Sequence, residues 1–184
     1  MENNKNLEKR MYFLVPYNIS PIQQAIQAGH SMGEYALKYG RYNDDHLIWE
    51  FLGKWKTWMV LNGGTTNSSF EFITGKSIGG LNQSVQDILD FNNNNIELPV
   101  IEYSTFEEPD LNDALTAICL IVDERVFNRE DYPDFKEWFL QQEDCNIAAW
   151  NVVNMREDFY YLYKQKFGED IAFLKELLNT KKLA

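Results

Sequence analysis

The chain is poor in the residues that build covalent or metal-bound frameworks, with two cysteines and two histidines among 184 residues. Cys119 and Cys145 form neither a disulfide framework nor a metal-ligand spacing. Cys119 lies in the apolar run T-A-I-C-L-I-V, where a buried, reduced thiol is the plain reading. His30 and His46 fall in different segments without ligand spacing, so neither a metal nor another cofactor is expected. No serine nucleophile elbow is present. No hydrophobic run approaches the roughly 18 residues of a membrane span. The opening M-E-N-N-K-N-L-E-K-R lacks the apolar segment of a secretion signal. A cytoplasmic protein with no membrane partner is therefore expected. Positive charge is also scarce: 17 Lys and Arg against 28 Asp and Glu leave a net charge of −11. That balance opposes nonspecific nucleic-acid binding, which rests on neutralising phosphates. Lys38, Arg41, Lys54 and Lys56 are the local exception, and they read either as a solvated loop or as a small basic patch.

What the chain has is apolar mass. Hydrophobic residues make up 45% and aromatics 15%, ample for a packed core. One domain is expected, with a helical extension at its C-terminal side.

The richest stretch runs from Ile19 to Ala36, I-S-P-I-Q-Q-A-I-Q-A-G-H-S-M-G-E-Y-A. Ser20 suits an N-cap, Pro21 the first helical position, and Gln23 completes a Ser-x-x-Gln capping box. Ile22, Ala25, Ile26, Gly29, Met32, Gly33 and Ala36 recur at helical spacing and predict the docking face. Two glycines there cost about 1 kcal/mol each against alanine, which predicts a close neighbour. Gln23, Gln27, His30 and Glu34 form a second, polar stripe by their 4-3-4 spacing. Capping accounts for Gln23 and ordinary solvation for Glu34; Gln27 has no such local explanation.

Along the chain, Met11 to Val15 reads as a buried strand, followed by the helix from Pro21 to about Tyr39, closed by Gly40. A short helix over Asp44 to Leu52 and a strand over Thr57 to Asn62, stopped by Gly63-Gly64, come next. Strand, helix, strand predicts a right-handed crossover onto a parallel pair. Phe70 to Ile73 reads as a short strand. Gly75 to Gly80 evokes a phosphate loop but fails the pattern, because Phe70 stands where its first glycine belongs. Asn82 to Phe91 is helical, and Asn92 to Asn95 reads as a loose loop. Leu98 to Tyr103 is the next expected strand, followed by the acidic F-E-E-P-D-L-N-D. Leu115 to Val122, the most continuous apolar run, reads as the central strand. Helices are expected over Pro133 to Gln142, Ile147 to Phe167 and Asp170 to Leu178.

Taken together, the Q-A-G-H of Gln27 to His30 and the later E-P-D-L-N-D-A-L-T-A-I resemble a known group. The helix is similar to the A-Q-C-A-H-A helix of the second, archaeal and eukaryotic type of peptidyl-tRNA hydrolase. L-N-G-G-T at Leu61 to Thr65 and V-D-E-R-V-F at Val122 to Phe127 resemble phage-encoded members, which would place the protein in a host cytoplasm. The resemblance covers about Lys9 to Asp123, after a flexible N-terminus over residues 1–8 and before a helical extension over 124–184. It implies an α/β fold, a small four-stranded mixed sheet with flanking helices, and cleavage of the ester between a peptide and tRNA. It implies catalytic candidates His30, Asp110 and Thr116, and binding candidates Gln23, Gln27, Glu34 and Asn62. The family's helix lysine falls on Gln23, which carries no charge. Asp110 after Pro109 and Thr116 at a strand start also have ordinary structural readings.

Two functions follow as expectations. One is an ester hydrolase that meets tRNA through the local basic patch. The other is a non-catalytic phage accessory protein that reuses the fold, for which the acidic chain suggests a basic protein partner or imitation of nucleic-acid charge, with a homodimer through the C-terminal helices as a further alternative.

Overall fold

The computed structural model describes residues 7–65, 80–143 and 145–184 in full, and the backbone of 69–71 and 76–78. Residues 1–6 of the N-terminus expected to be flexible, residues 72–73 of the expected strand Phe70 to Ile73, and Gly75 and Gly79 of the Gly75–Gly80 stretch lie outside the described residues. The chain divides into an α/β unit, residues 8–122 with 181–184, and a helical unit spanning 123–180.

In the α/β unit, β1 (Lys9–Pro16) leads to α1 (Pro21–Tyr35), α2 (Leu47–Glu50) and β2 (Thr57–Gly64). A small antiparallel pair, β3 (Ser69–Glu71) and β4 (Lys76–Ile78), precedes α3 (Gly80–Asn94), β5 (Ser104–Glu108) and β6 (Ala114–Asp123). The main sheet has the order β2-β1-β6-β5, with β1 parallel to β2 and β5 antiparallel to β6. This is the expected mixed four-stranded sheet, and β6 is central in it. The β1 run is apolar throughout because both faces are covered. Met11, Phe13 and Val15 pack with Ala28, Tyr35, Ile48 and Phe51 on one side. Leu14 lies toward Leu81 of α3 on the other.

Several boundaries moved. The first helix continues past Tyr35 as a π-helical turn over Ala36–Gly40. Gly40 is not a left-handed cap there: a Cβ on it would sit 2.8 Å from Ile48 and 2.9 Å from the Trp49 ring. The short helix begins later than expected, at Leu47, and His46 caps it. α3 runs on through Asn92 to Asn94 instead of fraying. Asn92 supports that turn by exchanging two hydrogen bonds with the Ile101 backbone, at 2.9 and 3.1 Å. Residues 98–103 are not a strand; pairing begins at Ser104, so the acidic F-E-E is strand.

Of the predicted docking face of α1, Met32 and Ala36 pack against the core but the rest does not. Ile22 is 74% exposed and Ile26 48%. A Cβ on Gly29 or Gly33 would meet nothing within 4 Å. The buried residues are Gln24, Gln27, Ala28, Ser31 and Tyr35. Polar side chains can occupy that face because each is satisfied. Gln24 Nε2 donates to the Pro16 carbonyl at 3.0 Å and Ser31 Oγ to the Ala28 carbonyl at 3.0 Å.

Cys119 is fully buried in this core, and burial pushes its thiol far above the usual range. Its folded state therefore resists ionisation, while the unfolded thiol ionises near pH ~8.5. Stability from this group is full below that pH and is lost as pH rises. The unfolding free energy from urea titration is expected to fall above pH ~8.5 at up to about 1.4 kcal/mol per pH unit. Cys119→Ala should remove that slope between about pH 8.5 and 9.5, whatever its overall stability. Identical slopes would refute the assignment.

The helical unit holds α4 (Glu124–Phe127), α5 (Phe135–Leu140), α6 (Ile147–Trp150), α7 (Val153–Phe167) and α8 (Glu169–Asn179). The long helix expected from Ile147 to Phe167 is broken at Asn151 and Val152. Trp138, Tyr163 and Ala172 form its core, with Phe135, Phe159, Tyr160 and Phe167 packed around them. Residues 181–184 leave this unit: the Lys182 carbonyl accepts from Asn62 N at 2.8 Å, and Ala184 N donates to Val60 O at 3.1 Å. That pairing covers the edge of β2. Among the described residues, no helix is long and apolar enough to cross a membrane.

Candidate functional site

Ser20 and Gln23 begin α1 as the capping box predicts: Ser20 Oγ accepts from Gln23 N, and Gln23 Oε1 accepts from Ser20 N at 3.0 Å. That fixes the helix start, and α1 then lies along β5 in the opposite sense. Gln27 meets Glu108, His30 meets Phe106, and Glu34 shares a 340 Å³ recess with Lys38, Ser104 and Thr105. The polar stripe therefore follows the strand residue by residue.

At its head is a chain of hydrogen bonds. Thr116 Oγ1 donates to Gln27 Oε1 at 2.6 Å, and Gln27 Nε2 donates to Glu108 Oε2 at 2.8 Å. The Phe106 carbonyl lies 3.2 Å from the same Thr116 hydroxyl. Thr116 is 1% exposed and Gln27 8%, so they form an interior support with Glu108 at its half-buried end. Gln27 keeps a second amide N–H, and among the described residues Glu108 Oε1 takes no hydrogen bond. One carboxylate oxygen and one amide donor are thus held side by side by a buried threonine. His30 is exposed, with its ring 4.5 Å from that of Phe106.

The predicted residues separate accordingly. Gln27 and Thr116 come together, and His30 stands one helical turn along the same strand. Asp110 does not join them: it is exposed on the 3-10 turn Pro109–Leu111, while Glu108, two residues earlier, reaches Gln27. Thr116 is too buried to touch a substrate and acts by positioning Gln27. Gln23 is occupied by the cap. Glu34 is exposed. Asn62 lies in β2 opposite Val15, its Oδ1 accepting from Gly64 N at 2.9 Å. Of the basic residues, Lys38 donates to the Tyr103 carbonyl at 3.0 Å, and Lys54 lies over the Trp55 ring. Arg41 lies over Tyr42, and Lys56 adopts a left-handed backbone.

A second polar cluster was not anticipated. Glu102 Oε2 accepts from the Tyr35 hydroxyl at 3.0 Å and lies 2.9 Å from His46 Nε2. His46 Nδ1 accepts from Ile48 N at 3.1 Å, so the neutral ring carries its proton on Nε2 and donates it to Glu102. Burial first, and the Glu102 carboxylate second, push the Tyr35 hydroxyl far above its usual range. Through Glu102 Oε2 this cluster ties α1 to the start of α2. No spacing signal links residues so far apart, and nothing in the F-E-E-P-D run separates Glu108 from Glu107 or Asp110.

Among the described residues, no three His, Cys, Asp or Glu side chains are placed to hold a metal ion. Fold and site together define an α/β protein with helices on a mixed four-stranded sheet and a glutamine–carboxylate pair beside its edge strand. No protein-family model matches the chain, and no curated protein matches it.

Proposed function

We propose that the α/β unit is peptidyl-tRNA hydrolase-like and hydrolyses the ester between a peptide and tRNA. The observation that carries this reading is the Thr116–Gln27–Glu108 chain, which joins the Q-A-G-H helix to the T-A-I strand at 2.6 Å and to the end of β5 at 2.8 Å. In this mechanism Glu108 Oε1 takes the proton of the attacking water. The free Gln27 N–H donates to the oxyanion that develops on the ester carbonyl. His30 protonates the leaving ribose oxygen, and Thr116 holds the Gln27 amide in orientation.

Release of peptide from purified peptidyl-tRNA tests it. Glu108→Gln should lower kcat by about 10²–10⁴-fold, the usual range for a general base. Asp110→Asn should have little effect. Gln23→Lys, which places a cation where the resembling family carries one, should raise kcat/KM by strengthening phosphate contact. No turnover at micromolar enzyme by either wild type or Gln23→Lys sinks the hydrolase reading.

A second reading has its own observation. Ile22, Ala25 and Ile26 of α1, with Leu37 of the π-helical turn that follows, leave an apolar stripe exposed, and Gln23 is tied up in the cap. A non-catalytic protein that binds a basic partner through this helix fits that stripe and the net charge of −11. Ile22→Asp with Ile26→Asp would then abolish partner binding, whereas a hydrolase would keep its kcat.

A further inference from the structure

The helical unit contains a cleft of about 440 Å³. That is within the usual range of small-molecule sites. Its walls are aromatic: Phe135 lies 5.2 Å from Trp150, 4.9 Å from Tyr160 and 5.4 Å from Tyr163, ring centre to ring centre. Phe135, Trp150 and Tyr160 are half-buried, so ring surface faces the opening. Two cations stand at the Trp150 side. Lys136 Nζ is 5.8 Å and Arg156 Cζ 5.7 Å from the Trp150 ring centre.

The charges around the opening are unevenly committed. Asp134 is shared by Arg129 at 3.1 Å and Lys175 at 3.3 Å. Glu176 accepts from the Tyr160 hydroxyl at 3.1 Å. Lys175 directs its ammonium to Asp134 and to the Val126 and Tyr132 carbonyls, leaving it no spare donor. Among the described residues, the Lys136 and Arg156 side chains have ring contacts but no carboxylate partner. Glu157 and Glu176, the latter bound only to the neutral Tyr160 hydroxyl, are the rim acids without a cation partner among the described residues. Two open cations flanking an exposed indole beside an aromatic floor match a ligand that is flat, apolar and negatively charged at one end.

We propose that this cleft binds a small organic anion with a planar aromatic body, the ring against Phe135, Trp150 and Tyr160 and the anionic group on Lys136 and Arg156. This site lies wholly within residues 123–180 and is independent of the hydrolase reading.

The test is titration of the full chain with 2-naphthoate, 2-naphthylmethanol and 2-naphthylmethylamine, following the indole N–H signals by NMR. Naphthoate should bind saturably at one site, shift the Trp150 signal, and bind about tenfold more tightly than the alcohol. The amine should be weaker still. Lys136→Gln with Arg156→Gln should remove the preference for naphthoate while leaving helical circular dichroism unchanged, since Lys136 is exposed and Arg156 half-buried. Trp150→Leu should weaken all three probes. Equal affinity for acid and amine, naphthoate affinity unchanged in the double variant, or no saturation at millimolar probe would each overturn the proposal.

Discussion

Replacing Lys175 by methionine is expected to destabilise the helical unit by about 3–5 kcal/mol, the cost of removing one partner from a buried ionic group. Lys175 is 3% exposed, yet it carries an ammonium into the interior of α8. It donates to the Val126 carbonyl at 3.1 Å, the Tyr132 carbonyl at 2.7 Å and Asp134 Oδ1 at 3.3 Å. Methionine fills the same space but strands those acceptors. Asp134 keeps Arg129, so the unpaired carbonyls carry much of the loss. Burial lowers the Lys175 pKa, against the opposing pull of Asp134. The unfolded lysine therefore binds its proton more readily than the folded one. This group's contribution to stability accordingly increases with pH between the lowered folded value and the ordinary ~10.4. Urea unfolding followed by near-ultraviolet circular dichroism should show both the loss and the disappearance of that pH slope in Lys175→Met. A change under about 1 kcal/mol would show that the three contacts are not what holds the segment before α5 to α8.

Glycine substitutions should split by sign. Gly64 has φ +100°, and a Cβ there would lie 2.6 Å from the Gly80 Cα, backbone against backbone. Strain of about 1–3 kcal/mol and overpacking of similar size put Gly64→Ala at roughly 3 kcal/mol or more. Gly29 and Gly33 are helical, and an added Cβ meets nothing within 4 Å. Gly29→Ala and Gly33→Ala should each stabilise by about 0.5–1 kcal/mol. Chemical denaturation of the three variants checks the pattern. Destabilisation at Gly29 comparable to that at Gly64 would mean that α1 has a close neighbour on that side after all.

The glycines show how a sequence reading can succeed locally and fail at the next level. Gly63-Gly64 was legible as punctuation, but its purpose was not: β2 continues through both residues so that α3 can begin against them. The Gly29 and Gly33 pair looked like a docking seam because its spacing is regular. Nothing in a single helix says which of its two stripes meets the sheet. For the candidate site, Gln27 stood out by its place in the polar stripe and Thr116 only as an expectation from the resemblance, and the structure brings the two together. Glu108 was missed because it sits among like residues, and being the last residue of β5 distinguishes it only once the strand is known.

The sequence alone determined the middle of the sheet and the start of the first helix. The runs Met11 to Val15 and Leu115 to Val122 are apolar but for the Tyr12 and Thr116 hydroxyls, which fits strands covered on both faces. Ser20, Pro21 and Gln23 specify a helix start from contacts within three residues. Tertiary structure decided the rotation of α1 and the membership of its site. Burying Gln27 is tolerable only where Thr116 and Glu108, 89 and 81 residues away, satisfy its amide. A hydrogen bond across that separation leaves no periodic trace. The apolar stripe consequently faces solvent, and the polar one lies against the sheet's edge strand.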